Sequence, residues 1–134
     1  MIAGATSENL EYYMGRLEPA YESSGQREIA RMLDEYRIPS LYRQPTLIRD
    51  NGRRTIWRPD FTLPTFDNMV IEYGADRIQP RGRATRSDVY SQNGIAALFL
   101  DNSDLAKPDW RQQLYDRLQE LYSQPLAHRC NRSR

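Results

Sequence analysis

Hydrophobic and polar residues follow two different periods along the chain. Apolar positions recur at helical spacing in three segments, which predicts helices over about 7–22, 26–37 and 108–122, and a further short helix is predicted over about 84–93, before Gly94. Runs rich in apolar, β-branched and aromatic residues predict four strands, at 41–49, 53–61, 69–73 and 95–100. The predicted order of elements is therefore α-α-β-β-β-α-β-α.

Capping and turn residues support these boundaries. Ser23 and Gln26 have the spacing of a capping box at the start of the second helix. Asp50-Asn51-Gly52 separates the first two predicted strands, and Asn and Gly tolerate the positive φ angles of a tight hairpin. Gly94 ends the third helix before the apolar strand.

This order of elements predicts a mixed sheet. Three meandering strands followed by a helical crossover to a fourth give a sheet of four strands, or slightly more, flanked by helices. The fold class is therefore a three-layer α/β domain whose crossover is right-handed. The chain has 134 residues, enough for one domain. We divide it into a helical extension (1–22), a core (23–123) and a basic, flexible tail (124–134).

Composition excludes several classes of function. Cys130 is the only cysteine, so no internal disulfide can form and a reducing, cytoplasmic location is expected. There is no apolar run of about 20 residues for a membrane span, and residues 1–7 lack the features of a signal peptide. His128, the only histidine, lies in the tail, which argues against histidine catalysis and zinc.

The basic residues are nearly all arginine. Of nineteen basic side chains only Lys107 is lysine, while the net charge is just +1. The arginine fork suits phosphate contacts. A genome rich in GC codons is the plainer explanation, so composition alone does not establish a nucleic-acid partner.

Two acids in successive predicted strands are the main candidates for chemistry. Asp60 follows Pro59 near the end of one strand, and Glu72 lies within an apolar run of the next. Two carboxylates at a sheet edge can hold a hard divalent cation. A carboxylate in a buried strand needs a partner, which is either a metal or, more simply, Arg58. Glu28 is a third acid, although on local grounds it is an ordinary acid in the first helical turn.

Four pieces of the chain, taken in order, resemble the PD-(D/E)XK nuclease superfamily. They are the helix 24–38 with Glu28, the segment Arg58-Pro59-Asp60-Phe61, the segment Val70-Ile71-Glu72-Tyr73-Gly74, and the helix and strand Tyr90–Leu100. The resemblance covers about residues 23–123 and is strongest to small domains related to very-short-patch repair endonucleases. It implies a restriction-endonuclease-like fold.

The resemblance also implies an activity and a cofactor. The chain would be a metal-dependent endonuclease hydrolysing DNA phosphodiester bonds with Mg²⁺ or Mn²⁺. Asp60 and Glu72 would bind the metal, with the Tyr73 carbonyl as a further candidate ligand. Glu28 would orient the attacking water or complete the metal shell.

The chain departs from the family pattern at one position. Gly74 stands where the family has its lysine, and the nearest basic substitute is Arg86, four residues before Tyr90 and on the same helical face. Arginine can stabilise phosphate charge but is a poor general base. The substrate-binding candidates are Arg77, Arg81, Arg83 and Tyr90. The arginines from Arg77 to Arg86 could equally belong to a solvated loop.

Two other hypotheses remain open from the sequence. In the first, the chain is a catalytically inactive module of the same fold, used for nucleic-acid binding or for assembly as a homodimer through its first helix. In the second, it is an α/β domain of unrelated function. For a nuclease, DNA is a better substrate candidate than RNA, and the location would be the nucleoid. No membrane partner is expected.

Overall fold

The computed structural model describes residues 19–74 and 80–124, with the backbone alone for 80–85. The helices are α1 (Ser24–Glu35), α2 (Pro80–Gln92), α3 (Asn102–Leu105) and α4 (Trp110–Ser123). The strands are β1 (Leu41–Tyr42), β2 (Thr46–Asp50), β3 (Arg53–Trp57), β4 (Phe61–Leu63), β5 (Met69–Tyr73) and β6 (Ala97–Leu100). A single 3₁₀ turn, Pro64–Phe66, connects β4 to β5.

The strands form two sheets. The main sheet has the order β1-β4-β5-β6, with β5 and β6 parallel and the other pairs antiparallel. Helix α2 lies between the two parallel strands in sequence, as a crossover connection requires. The β2 and β3 strands make a separate two-stranded ribbon. The prediction of a mixed four-stranded sheet with helices is thus confirmed, but the ribbon was not expected as a separate sheet.

Two predicted strands are each divided in the structure. The segment 41–49 becomes β1 and β2, and the segment 53–61 becomes β3 and β4. Each break contains a proline, Pro45 or Pro59, which has no N–H for a ladder hydrogen bond. At the first break Arg43 also has a φ of 55°, so the strand direction changes there. One half of each predicted strand joins the main sheet and the other half joins the ribbon.

The main sheet buries a different core on each face. Ile71 and Tyr73 of β5 belong to a cluster with buried residues of α1 and α4, including Ile29, Leu33 and Leu118. The alternate residue Val70 belongs to a second cluster with Val89 and Tyr90 of α2 and Ile48 of the ribbon. Because successive strand residues point to opposite faces, the two clusters require covering elements on both faces of the sheet.

Helix boundaries follow local capping chemistry. The Ser23 hydroxyl accepts a hydrogen bond from the Gln26 N–H at 3.2 Å, which confirms Ser23 as the N-cap of α1. The second bond of the predicted capping box differs, because the Gln26 side chain accepts the N–H of Glu22. Helix α2 starts at Pro80, four residues before the predicted start. The short α3 was not predicted; Asp101 and Asp104 form its capping box. The predicted first helix lies outside the described residues except for 19–22, which are not helical, and the tail 125–134 lies outside them as well.

Candidate functional site

Asp60 is a buried carboxylate between the ribbon and the main sheet. Its side chain is 2% exposed. Oδ2 accepts the backbone N–H of Tyr73 at 2.7 Å, and Oδ1 accepts Nε2 of Gln26 at 3.1 Å. Arg43 Nη1 lies 3.9 Å from Oδ1. Donors from α1 and β5 therefore stabilise a charge that burial alone would disfavour.

Gln26 is the α1 residue that the fold brings to Asp60. Its side chain is buried, and its Oε1 accepts hydrogen bonds from Tyr42 Oη at 2.9 Å and from the Glu22 N–H at 2.8 Å. Capping-box spacing drew attention to Gln26, but it did not indicate a contact with Asp60, which is 34 residues away in sequence. The sequence analysis therefore missed this site residue.

Glu28 faces a different part of the molecule. Its Oε2 accepts Arg111 Nη2 of α4 at 3.2 Å, and Arg31 lies 3.8 Å from its Oε1. Side chains two positions apart on a helix do not share a face. Because Gln26 points to Asp60, Glu28 points elsewhere. The structure thus places Glu28 between α1 and α4, away from Asp60, and its role beside a metal-bound water stays a prediction.

Glu72 is a buried acid near the C-terminal end of β5, on the sheet face that packs against α2. Its Oε2 accepts Arg86 Nη2 at 2.6 Å, Arg86 Nε at 3.2 Å and the Tyr90 hydroxyl at 2.5 Å. The partner of Glu72 is thus Arg86, and not Arg58 as the simpler interpretation had it. All three of these hydrogen bonds end on Oε2, so none of them occupies Oε1.

Arg86 and Tyr90 are both held in their hydrogen-bonding forms. Burial opposes the charge of the guanidinium, but the hydrogen bond and charge of Glu72 outweigh burial and raise the pKa of Arg86. Burial, together with the charge of Glu72, raises the pKa of the Tyr90 hydroxyl well above its ordinary value. Near neutral pH, Arg86 is therefore a cation and Tyr90 a proton donor. Both side chains reach the same oxygen of Glu72, which confirms the prediction that they share a helical face.

Trp57 covers this group from the ribbon. The Arg86 guanidinium carbon lies 4.2 Å from the centre of the Trp57 ring, within cation–π range. The Trp57 and Tyr90 rings meet edge to face, with centroids 5.1 Å apart. Sequence analysis assigned no role to Trp57, because its contact depends on how the ribbon packs against α2.

Asp60 and Glu72 are brought to adjacent strand positions. The β4–β5 register pairs Phe61 with Ile71, so Asp60 and Glu72 are the next residues outward on the two chains. The N–H that Asp60 accepts belongs to the peptide joining Glu72 to Tyr73. The hydrogen-bond partners of the two acids nevertheless come from different helices, α1 and α2. Within the described ranges, no group of three or more His, Cys, Asp or Glu residues could hold a metal ion.

The backbone explains why glycine occupies position 74. Gly74 has a φ of 115°, a conformation that residues with a Cβ rarely adopt, and its N–H donates to the Leu100 carbonyl at 3.1 Å. A lysine here would be strained. The departure from the family pattern thus coincides with a special backbone conformation.

The remaining predicted substrate contacts are placed as follows. Arg77 lies outside the described residues, and Arg81 and Arg83 belong to α2, where only their backbone is described. Tyr90 is fully buried and donates to Glu72, so it does not present a surface to a substrate. The Tyr73 side chain donates to Asn102 Oδ1, while its predicted role as a carbonyl ligand stays a prediction.

A cavity of about 300 Å³ lies at the start of α1, next to Gln26 and Tyr73, the two residues that donate to Asp60. It is lined by residues 22–26 at the start of α1, by Tyr73 and Gly74 at the end of β5, and by Asn102. Gly25 is required at this contact, because a Cβ there would lie 2.2 Å from the Tyr73 ring. The close approach of α1 to Tyr73 is what places Gln26 on Asp60.

Comparison of the chain with protein-family models, curated proteins and solved structures gives no match. Among the described helices, none is long and apolar enough to cross a membrane.

Proposed function

We propose that the chain is a metal-dependent nuclease that hydrolyses DNA phosphodiester bonds on a restriction-endonuclease-like core. One observation carries the proposal. Two buried carboxylates, Asp60 and Glu72, occupy adjacent positions on paired strands, and an arginine lies directly on one of them. Burying two acids costs free energy unless each has partners, so their retention in a core is a reason to look for a function.

The donor set fits a hard divalent cation. Mg²⁺ is commonly bound by one or two carboxylates, with water and substrate phosphate filling the other positions. Oε1 of Glu72 accepts none of the three hydrogen bonds to that side chain, and Asp60 occupies the neighbouring position across the paired strands. When bound, such a cation would polarise a phosphate oxygen and increase the acidity of water.

Arg86 has two roles in this proposal. Its Nε and Nη2 groups orient Glu72 by holding Oε2, which turns the other oxygen away from the arginine. The side chain is 30% exposed, and the donors of Nη1 are not used in these bonds. They can therefore contact a phosphate oxygen and stabilise its charge. Arg86 would act as a cation, because its pKa is too high for it to be a general base.

A non-catalytic role is the second candidate, and one observation favours it. Arg86 and Tyr90 already satisfy Glu72 with three hydrogen bonds, while Gln26 and Tyr73 satisfy Asp60. In this case the two acids would serve to fix α1 and α2 on the sheet. Metal would then have no effect on the protein.

Plasmid nicking separates the two candidates. Supercoiled DNA is incubated with the protein in Mg²⁺, Mn²⁺ or EDTA, beside Asp60→Asn, Glu72→Gln and the exposed control Glu120→Gln on α4. Nicking that needs the cation, persists in the control and is lost in both site variants supports the nuclease. A folded wild-type protein that cleaves no DNA and whose melting temperature is unchanged by either cation overturns it.

A further inference from the structure

The β2–β3 ribbon presents two distinct faces. Ile48 points inward and is fully buried against Val70 and α2. Side chains alternate along a strand, so Leu47 and Arg49 point outward, as do their cross-strand partners Ile56 and Arg54. Leu47 is 63% and Ile56 54% exposed. We call the four side chains Leu47, Arg49, Arg54 and Ile56 the outer ribbon face.

The ribbon is fixed to the body of the protein. The Asn93 side chain, just beyond α2, accepts the Arg49 N–H at 2.9 Å and donates to the Arg49 carbonyl at 3.0 Å. It also donates to the Val89 carbonyl at 2.7 Å. These contacts, with buried Ile48 and the stacking of Trp57 on Arg86, hold the outer ribbon face in a defined orientation.

The two arginines of this face lie directly opposite each other. Because Arg49 uses its N–H and carbonyl for Asn93, Arg49 and Arg54 form a pair without ladder hydrogen bonds. Side chains are closest in such pairs, with Cα atoms about 4.5 Å apart. Like charges placed opposite each other are unfavourable. Within residues 19–74 and 80–124, no carboxylate forms an ion pair with either guanidinium.

We propose that the outer ribbon face binds the groove of a DNA duplex. This proposal rests on the proposed function, and it specifies that the DNA substrate is double-stranded. A two-stranded β-ribbon fits the major groove, which is about 12 Å wide. Paired guanidiniums can bridge phosphate or guanine acceptors, and apolar side chains can contact thymine methyl groups. The polyanion relieves the repulsion between Arg49 and Arg54.

The charges argue against a second copy of the chain as the occupant. In a symmetric dimer the same patch meets itself. Such a contact through this face would bring the Arg49–Arg54 pairs of both copies, four guanidiniums, into one interface. Leu47 and Ile56 alone form a small apolar area, and the arginines beside them favour a negatively charged partner.

Fluorescence anisotropy with a short labelled duplex in EDTA measures binding without cleavage. We expect Arg49→Gln/Arg54→Gln to weaken binding about ten-fold near physiological salt, and to reduce the slope of log affinity against log salt by about 1.8. Leu47→Thr/Ile56→Thr should weaken duplex binding at every salt concentration with an unchanged slope. The control Arg31→Gln/Arg117→Gln removes the same charge from exposed helical positions.

The outcomes are distinguishable from failure of the nuclease proposal. Equal losses of duplex affinity in the ribbon and control variants would show that only net charge matters, and would overturn the proposal that the outer ribbon face binds DNA. Tighter binding to single-stranded DNA or to RNA than to the duplex would also overturn the proposal. The same holds if sedimentation shows a dimer that Leu47→Thr/Ile56→Thr disrupts while the affinity for DNA is unchanged. Ribbon-dependent duplex binding by a protein that never cleaves would support the surface and reject the nuclease.

Discussion

Arg86 donates to the carboxylate of Glu72 at 2.6 Å, from a helix to the strand beneath it. The pair is partly shielded from solvent, with the Glu72 side chain 8% exposed. Removing one partner of a buried ion pair is strongly destabilising, because the other charge is left without compensation. Glu72 keeps the Tyr90 hydroxyl as a second donor.

We therefore predict that Arg86→Gln lowers the free energy of unfolding by about 2 kcal/mol. Glu72→Gln/Arg86→Gln should lose clearly less than the sum of the single variants, because no unpaired charge remains. Urea unfolding of the four proteins measures this coupling. Additive losses would mean that the pair does not stabilise the fold as a unit.

Arg86→Gln also separates metal binding from catalysis. If Glu72 is a metal ligand, releasing it from arginine should tighten Mn²⁺ binding while cleavage falls at least ten-fold. Calorimetric Mn²⁺ titration and plasmid nicking measure the two effects. Loss of Mn²⁺ binding as well, in a protein that remains folded, would show that the orienting role of Arg86 outweighs the repulsion between its charge and the cation.

A side chain at position 25 should destabilise the fold. The Cβ of Gly25→Ala would lie 2.2 Å from the Tyr73 ring, so α1 or the ring must move, and we expect a loss of about 1–3 kcal/mol. Tyr73→Leu should recover part of this loss by removing the ring. Gly52→Ala is the matched control. The added Cβ would meet nothing within 4 Å, but Gly52 has a φ of 79°, so this variant should lose about 1 kcal/mol of stability. Tyr73→Leu should not rescue the loss.

Tyrosine ionisation should make the fold sensitive to alkali. Burial raises the pKa of Tyr90 and also that of Tyr42 above the ordinary value of about 10. A group with a raised pKa in the folded state stabilises the fold fully below its unfolded pKa and loses this contribution as pH rises through the folded pKa. Unfolding free energy should therefore decline above about pH 10.

Tyr90→Phe should reduce this alkaline decline, whereas the exposed control Tyr122→Phe should leave it unchanged. Urea unfolding across this pH range, with ultraviolet detection of tyrosinate, provides the measurement. Identical pH profiles for wild type and Tyr90→Phe would show that another group governs the decline.

Asn93 should control the mobility of the ribbon. Asn93→Ala removes both hydrogen bonds to the Arg49 backbone, each contributing about 1 kcal/mol. We expect the Arg49 amide to exchange with solvent much faster, with little change at Ile71 in the main sheet. Gln119→Ala, which removes an exposed side-chain bond to Tyr115, is the control. Equal protection of Arg49 in Asn93→Ala would show that packing alone holds the ribbon.

The sequence predicts those features that depend on local chemistry. The positive φ angles of Asn51 and Gly52 confirm the hairpin turn, and β5 has the predicted bounds. The helical spacing of Arg86 and Tyr90 anticipated their shared face. Pro45 and Pro59 are visible in the sequence, yet whether a proline ends a strand or lies at its edge depends on the neighbouring strands.

Features that depend on distant contacts could not be read from local patterns. Gln26 meets Asp60 because Gly25 lets α1 approach Tyr73, a packing relationship between residues far apart in the chain. Glu28 looked suitable because it is an acid in the right helix, but its position on the helix surface directs it to Arg111. The type of each residue indicated its possible chemistry, but the direction in which its side chain points could be known only from the fold.

The backbone of Gly74 determines where a positive charge can stand near Glu72. Gly74→Lys would place a charged side chain at the end of β5 at a cost of about 1–3 kcal/mol in backbone strain. Because this φ angle favours glycine, the positive charge next to Glu72 comes instead from Arg86, on the crossover helix α2.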